Sequence, residues 1–306
     1  MLCIDVSLSG EASNFAYLER ISMALERDNE ELFKQLRSRP KLALPTVVLC
    51  FINIFFVVTA WTLYLQGIIP IWVGTIINCL AFYYSFSVIH DGLHRSISIN
   101  EKVNDSITVL ATMLVTLNPT AYHYARYFHM QHHIKCGEEG LDPDLEISSK
   151  GSHALYKWFF WGLHYLALRP YPKLNVPNVG MINIIWLVSV VTLFVFFPLE
   201  MLMLAVIPLF FLLWMTAFVF SYLPHHIHQR VPGEDELDKY QSTCNRIGWE
   251  WLLSPLCQYQ NYHLVHHLYP TVPFYRYVKI WNARKSEHEK NNPALVNAFS
   301  NQPTYY

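Results

Sequence analysis

The sequence is poor in charge and in glycine. Of its 306 residues 53% are apolar and 15% are charged, against about a quarter charged in an average soluble domain. The 11 glycines form neither G-x-G-x-x-G nor G-x-x-x-x-G-K, so no nucleotide-binding loop is recognisable. The net charge of −1 provides no basic excess for phosphate contacts. We therefore expect no nucleic-acid partner.

Paired cysteines and charges within the apolar runs are also missing. The six cysteines lie far apart without a C-x-x-C, which predicts neither a disulfide framework nor a thiolate zinc site. The long apolar runs carry no ionisable residue near their middle. Pumps and transporters place ionisable residues there, so a transport function is disfavoured.

Long apolar runs predict an all-α integral membrane protein. A helix crosses the bilayer with about 20 residues, and four runs reach that length, over about residues 43–67, 68–89, 180–198 and 201–222. Short turns pair them into two hairpins, the second turn at Pro198–Glu200. The stretch Ile107–Leu117 is too short to span and is interpreted as interfacial or re-entrant.

The basic residues predict the orientation of these hairpins. All 22 Lys and Arg residues lie in segments 1–41, 95–173 and 230–290, outside the hairpins. The positive-inside rule then places the termini and the middle segment in the cytoplasm. We predict an amphipathic cytosolic segment over 1–41, a membrane and catalytic domain over 42–285 and a tail over 286–306. The expected protein is multi-pass, with a cytoplasmic active site.

Histidine is present in excess, with 15 residues that all fall on the predicted cytoplasmic side. Most lie in four clusters: HDGLH at 90–94, HMQHH at 129–133, LPHHIH at 223–228 and HLVHH at 263–267. Residues at i, i+3 and i+4 share one face of a helix. These spacings therefore direct two or three imidazoles to one place, as a site for a first-row metal requires.

The number of clustered rings exceeds what one metal can bind, so two metals are predicted. The candidate ligands are His90, His94, His129, His132, His133, His225, His263, His266 and His267. Within LPHHIH the choice of His225 follows from its place nearest the membrane, and His226 and His228 stay open as alternatives.

Polar side chains beside these clusters are candidate partners of the ligating rings. A ligating histidine usually donates its other N–H to a carboxylate or a carbonyl. The candidates are Asp91, Asp142, Asp144, Glu250 and Asn261. For each carboxylate, a solvated surface acid is the alternative interpretation.

HDGLH, HMQHH and NYHLVHHLYPTVPFY resemble the three histidine boxes of the integral-membrane fatty acid desaturase–hydroxylase superfamily. The acidic LDPDLE at 141–146 is similar to a segment that many of these enzymes carry after the second box. The resemblance runs from about residue 40 to residue 285. It implies four transmembrane helices capped by a cytosolic domain, which holds a di-iron site of two Fe2+ beside a hydrophobic substrate tunnel. It also implies the candidate histidines as ligands and O2 as co-substrate.

The resemblance implies a lipid substrate, a fatty-acyl chain, and a separate source of electrons. The third box begins with His263, where front-end desaturases have Gln, and no His-Pro-Gly-Gly, flavin or iron–sulfur motif is present. The expected electron donor is therefore a ferredoxin, a rubredoxin or cytochrome b5.

Several reactions fit the same histidine pattern. Fatty-acyl desaturation is the first expectation. A hydroxylase, a ketolase or an oxidative decarboxylase that forms terminal alkenes is the alternative within the superfamily, and the Leu-Pro-His segment is similar to that of carotenoid ketolases. A membrane zinc hydrolase or metal-binding protein is a remote alternative, since three protein ligands suffice for a zinc hydrolase. The expected location is a bacterial inner membrane, with the ER membrane as the alternative.

Overall fold

The computed structural model describes residues 29–138, 140–145, 177–226 and 239–304. A helix covers residues 29–37. The helices that follow are α1 (Leu44–Leu65), α2 (Ile71–Leu93), α3 (Glu101–Thr116), α4 (Ala121–Lys135), α5 (Val179–Phe196), α6 (Pro198–His225), α7 (Glu250–Leu256), α8 (His263–Leu268), α9 (Tyr277–Ala283) and α10 (Lys285–Glu289). Helices α1, α2, α5 and α6 are long and apolar enough to cross a membrane. The expected helical membrane architecture is confirmed.

The first hairpin carries a histidine box on its second helix. Helix α1 has 22 residues and is about 33 Å long at 1.5 Å per residue, which matches a hydrocarbon core of about 30 Å. Gly67, at φ 70°, makes the turn into α2. Helix α2 continues to Leu93, beyond the expected end at residue 89. His90 and Asp91 therefore lie on its last turn.

The break between α5 and α6 is shorter than the sequence suggests. Phe197 alone separates α5 from α6, and Pro198–Glu200, expected as a turn, forms the first turn of α6. Proline fits there because the first helical position needs no N–H donor. Two π-helical segments, Leu202–Val206 and Ala217–Tyr222, interrupt α6. In the first of them, the Leu204 carbonyl accepts a hydrogen bond from Asn78 Nδ2 at 2.8 Å.

Helix α3 packs tightly against the end of α2. A Cβ added to Gly92 would lie 1.9 Å from Thr108 Oγ1, so only glycine fits at this contact. Asn104 on α3 donates to the Gly92 carbonyl at 3.0 Å and accepts from the Ile97 N–H at 3.2 Å. The stretch Ile107–Leu117, expected to be interfacial, lies mostly within α3, which is not a candidate span.

A small sheet and a hydrophobic core stabilise the C-terminal region. Strand β1 (Asn245–Ile247) pairs in parallel with β2 (Leu295–Asn297), and β2 pairs antiparallel with β3 (Pro303–Thr304). Buried Leu264 and Val265 of α8 pack against α9. This core fixes the face of α8 that carries the third histidine box.

Some predictions fall on residues outside the described ranges. Of the segment 1–41, only residues from 29 onward are described, and Phe33 is buried in the C-terminal core. His228 and Glu146 also lie outside. The domain boundaries at 42, 285 and 286 stay predictions.

Gly92→Ala should destabilise the protein, because the new methyl group collides with Thr108. Overpacking of this kind costs about 1–3 kcal/mol. A lower unfolding temperature in detergent, measured by intrinsic fluorescence, is the expected result. Gly180→Ala is the control, since a Cβ there meets no described atom within 4 Å. Equal unfolding temperatures for the two variants would contradict the packing described here.

Candidate metal centre

Four helices contribute histidines to one buried cluster. The end of α2 provides His90 and, directly after it, His94; α4 provides the second box, the end of α6 provides His225, and α8 provides the third box. The structure brings all nine candidate ligands together. The ring centroids of neighbouring members lie about 4–6 Å apart.

The first group of ligand atoms comes from His90, His94, His129 and His266. One ring nitrogen from each lies within 4.8 Å of all the others. The Nε2 atoms of His94 and His129 are 2.7 Å apart, and the ring centroids of His90 and His266 are 4.3 Å apart. These four rings could hold one metal ion.

The second group comes from His132, Cys136, His225 and His267, with the same 4.8 Å limit between ligand atoms. The ring centroids of His132 and His225 are 4.8 Å apart, and those of His132 and His267 are 5.2 Å apart. These four side chains form a second candidate position, next to the first.

His133 and His263 complete the cluster. His133 Nε2 is 2.9 Å from His266 Nε2, and its ring centroid is 4.3 Å from that of His267. His133 therefore borders both groups. His263 Nε2 is 3.1 Å from His267 Nε2, and its ring lies 4.9 Å from that of His225, which places it beside the second group.

Burial keeps most of these rings neutral. Loss of water, reinforced by repulsion from neighbouring imidazoles or by nearby Arg126, holds the pKa well below its ordinary value for His94, His129, His133, His263, His266 and His267. A neutral imidazole is the form that binds a metal. The rings are therefore in the state that a metal site requires.

His132 differs because carboxylates lie beside it. Its Nδ1 donates to Asp142 Oδ1 at 2.8 Å, and Asp144 Oδ2 is 3.9 Å away. Burial opposes protonation, yet the hydrogen bond to Asp142 and the two negative charges raise the pKa of His132 above its ordinary value. The same contact occupies Nδ1 and orients the ring, so Nε2 is the nitrogen with which His132 would bind a metal.

The buried ring nitrogens of the histidine cluster are suited to binding metal ions. Neither ring nitrogen of His90 has a hydrogen-bond partner among the described residues, although the side chain is only 1% exposed. A buried polar atom without a partner costs about 1–3 kcal/mol. Coordination of a cation would compensate for that cost, and imidazole nitrogens suit iron, zinc and copper.

An apolar cavity of about 270 Å³ borders the cluster. Its walls include His129, His132 and His263. The rest of the lining is mostly aliphatic and aromatic, with Ile89, Val115, Phe128, Leu212 and Phe220 among the residues. The cavity can therefore hold an apolar chain against the candidate ligands.

The comparison with protein families agrees with this geometry. Residues 60–297 match the family model described as fatty acid desaturase. The chain belongs to the fatty acid desaturase family. All nine candidate ligands fall within the matched residues, and membership implies an oxidoreductase that carries out desaturase-like lipid oxidation. No curated protein matches the sequence.

In this member of the family, the two histidines that follow Pro224 point in different directions. His225 Nδ1 donates to the Ser221 carbonyl at 2.9 Å, and its ring faces His132 and His263. The ring nitrogens of His226 contact the carbonyls of Leu223 and Asn301, at 2.8 and 3.3 Å. The structure thus places His225, and not His226, in the cluster.

The other predicted partners contact groups that are not histidine rings. Asp91 accepts from Thr46 Oγ1 at 2.7 Å and from the Phe274 N–H at 3.0 Å. Glu250 accepts from the Gly248 N–H and the Tyr262 hydroxyl. Asn261 Nδ2 donates to the Arg246 carbonyl at 3.4 Å. Through these bonds the three side chains connect backbone segments around the cluster.

The sequence patterns do not single out three further residues of the site. Gln260 Oε1 is 2.5 Å from His263 Nδ1, and the Tyr277 hydroxyl is 3.0 Å from His266 Nδ1. Cys136 joins the second group, and burial, with Asp142 and Asp144 nearby, raises the pKa of its thiol well above the ordinary value. The spacing of four residues from His132 was the one available signal for Cys136.

Tyr277→Phe should weaken metal binding, because it removes the hydroxyl that contacts the His266 ring. Loss of such a partner costs about 10–100-fold in metal affinity. Titration of the metal-free protein with Co2+, followed by its visible spectrum, would measure the change.

Tyr262→Phe is the matched control for that experiment. Tyr262 is buried in the same core, but its hydroxyl bonds to Glu250 at 3.2 Å. We expect its Co2+ affinity to equal that of the wild type. Equal affinities in all three proteins would exclude a role for Tyr277 in orienting His266.

Proposed function

We propose that the chain oxidises an unactivated C–H bond of a long-chain lipid with O2, most simply as a fatty-acyl desaturase. The apolar cavity carries this proposal, since three candidate metal ligands, His129, His132 and His263, form part of its wall. A lipid chain held there would lie against the metal centre. The mostly apolar lining of the cavity favours an uncharged chain over a charged substrate of similar size.

Two Fe2+ ions are the proposed cofactors. The first group would hold one ion and the second group the other, with His133 next to both and His263 next to the second. When bound, iron supplies the reductive activation of O2 and the removal of hydrogen from the substrate. Desaturation removes two hydrogens, and O2 with two further electrons and two protons leaves as two molecules of water.

The protein's own part is to orient the ligands and exclude water. Asp142 fixes the ring of His132, and the Ser221 carbonyl fixes that of His225. Phe86 and Phe220 form an edge-to-face pair with ring centroids 4.3 Å apart, and both rings lie within 6.0 Å of His90. They line the cavity and keep a dry, apolar surface beside the first group. A substrate chain would be aligned there by packing alone.

The location and the partners follow from the same chemistry. The four spans and the apolar cavity favour a substrate that enters from the bilayer, and the distribution of Lys and Arg favours a cytoplasmic site. The two electrons would come from a separate ferredoxin, rubredoxin or cytochrome b5. A bacterial inner membrane is the proposed location.

Cells that produce this chain together with a redox partner should contain a new unsaturated lipid, detected by gas chromatography–mass spectrometry. His225→Ala should reduce the product by more than the roughly 10–100-fold that the loss of a ligand's hydrogen-bond partner costs, because the ligand itself is removed. His226→Ala should retain it, because His226 contacts backbone carbonyls instead of the cluster. A hydroxylated, ketolated or chain-shortened product that depends on His225 would contradict desaturation but keep the metal centre.

Ala125→Phe should abolish product formation without loss of metal. Ala125 lines the cavity and is not a candidate ligand, so a phenyl group there would occupy space that the substrate needs. Product yield and metal content are measured on the same preparation. A blocked cavity lowers the product yield alone, whereas a damaged metal centre also lowers the metal content. Unchanged product would show that the substrate binds elsewhere.

A further inference from the structure

Cys136 lies where α4 ends, four residues after His132. Its Sγ belongs to the second group, in which every ligand atom lies within 4.8 Å of every other. Ligand atoms on one first-row metal lie up to about 4.4 Å apart, since metal–nitrogen bonds are about 2.1 Å and metal–sulfur bonds about 2.3 Å. Small movements on metal binding would close the difference. The spacing therefore fits four ligands around one ion.

In two of the three rings of this group, the nitrogen that would not bind the metal already has a hydrogen-bond partner. His132 Nδ1 bonds to Asp142, and His225 Nδ1 bonds to the Ser221 carbonyl. With Nδ1 occupied, Nε2 is the nitrogen through which either ring would bind a cation. His267 Nε2 lies next to His263 Nε2. The sulfur of Cys136 is the remaining member of the group and brings a different chemistry.

The thiolate form of Cys136 could balance part of the charge of a buried cation, which a further neutral imidazole could not do. Neutral rings bring no negative charge to a metal, and the carboxylates of Asp142 and Asp144 lie beside His132 instead of within the group, whereas a thiolate would supply one negative charge in direct contact. Buried charges are stable only when paired in this way. Thiolate ligands also occur on iron in proteins.

The other described cysteines lie elsewhere. Cys50 is on α1, and Cys79 is on α2 away from the end that carries His90. Cys244 contacts the Leu223 carbonyl at 3.6 Å, and Cys257 packs in an apolar cluster with Val219. Among the described residues, Cys136 is the cysteine that joins a group of candidate ligands. Its position is therefore specific.

We infer that Cys136 is a ligand of the metal held by His132, His225 and His267. The inference rests on the proposed function and makes the two metal positions unequal, one with nitrogen ligands and one with nitrogen and sulfur. On binding, the S–H bond breaks, a sulfur–metal bond forms and the proton passes to solvent, as is usual for thiol ligands. No oxidation or reduction accompanies this step.

X-ray absorption at the iron edge tests the inference directly. The full chain, purified in detergent without oxygen and loaded with Fe2+ alone, should show an iron–sulfur shell at about 2.3 Å. Cys136→Ser should lose that shell, and its second Fe2+ should bind at least 10-fold more weakly. Cys79→Ser, a half-buried cysteine outside the cluster, should keep both the shell and the affinity.

Three results separate this inference from the proposed function. A wild-type protein with two irons but no sulfur shell would overturn the role of Cys136 and leave the proposed function standing. A sulfur shell that persists in Cys136→Ser would also overturn it. A wild-type protein that binds no iron would overturn both. Cys136→His covers the case in which the serine variant does not fold, and it should hold two irons with nitrogen ligands only.

Discussion

The close packing of neutral imidazole rings in a buried pocket is the constraint on which the site depends. The rings of His90, His94 and His266 lie with centroids 4.3 to 5.1 Å apart. A proton on any one of them would repel the others strongly at low dielectric, and burial lowers the pKa of His94 and His266. The uncharged rings present lone pairs to a common centre. A cation at that centre would satisfy them, which explains how a polar cluster can persist beside an apolar cavity.

The fold keeps the rings in place by joining segments that are distant in sequence. Gln258 accepts from the Ser87 hydroxyl at 2.6 Å and donates to the Tyr83 carbonyl at 2.9 Å, so the segment before α8 is fastened to α2. Asp91 makes a second link, from α2 to Thr46 on α1 and to Phe274 beyond α8. These bonds hold the first and third histidine boxes next to each other, although none of the bonds involves a histidine ring. They resemble the supports that ligands usually need to hold a metal geometry.

The features that can be predicted from the sequence are those that depend on residues close together in the chain. Helical spacing and apolar length depend on neighbouring residues, and they indicated the spans and the histidine clusters. Contacts between distant segments of the chain cannot be predicted in this way. Tyr277 reaches His266 because α9 folds back on α8, and no spacing rule connects them. The same limit applies to the break between α5 and α6, where Pro198 begins a helix instead of a turn. The side chain of Asp91 could be recognised as important, but only the fold shows that it bonds to Phe274.

The most direct test of a two-metal histidine centre is anomalous X-ray diffraction from crystals of the protein, recorded on both sides of the iron edge and of the zinc edge. Two anomalous peaks at the iron edge are predicted, one surrounded by His90, His94, His129 and His266 and the other by His132, His225 and His267. A single peak at the zinc edge, or iron bound away from these rings, would contradict the account.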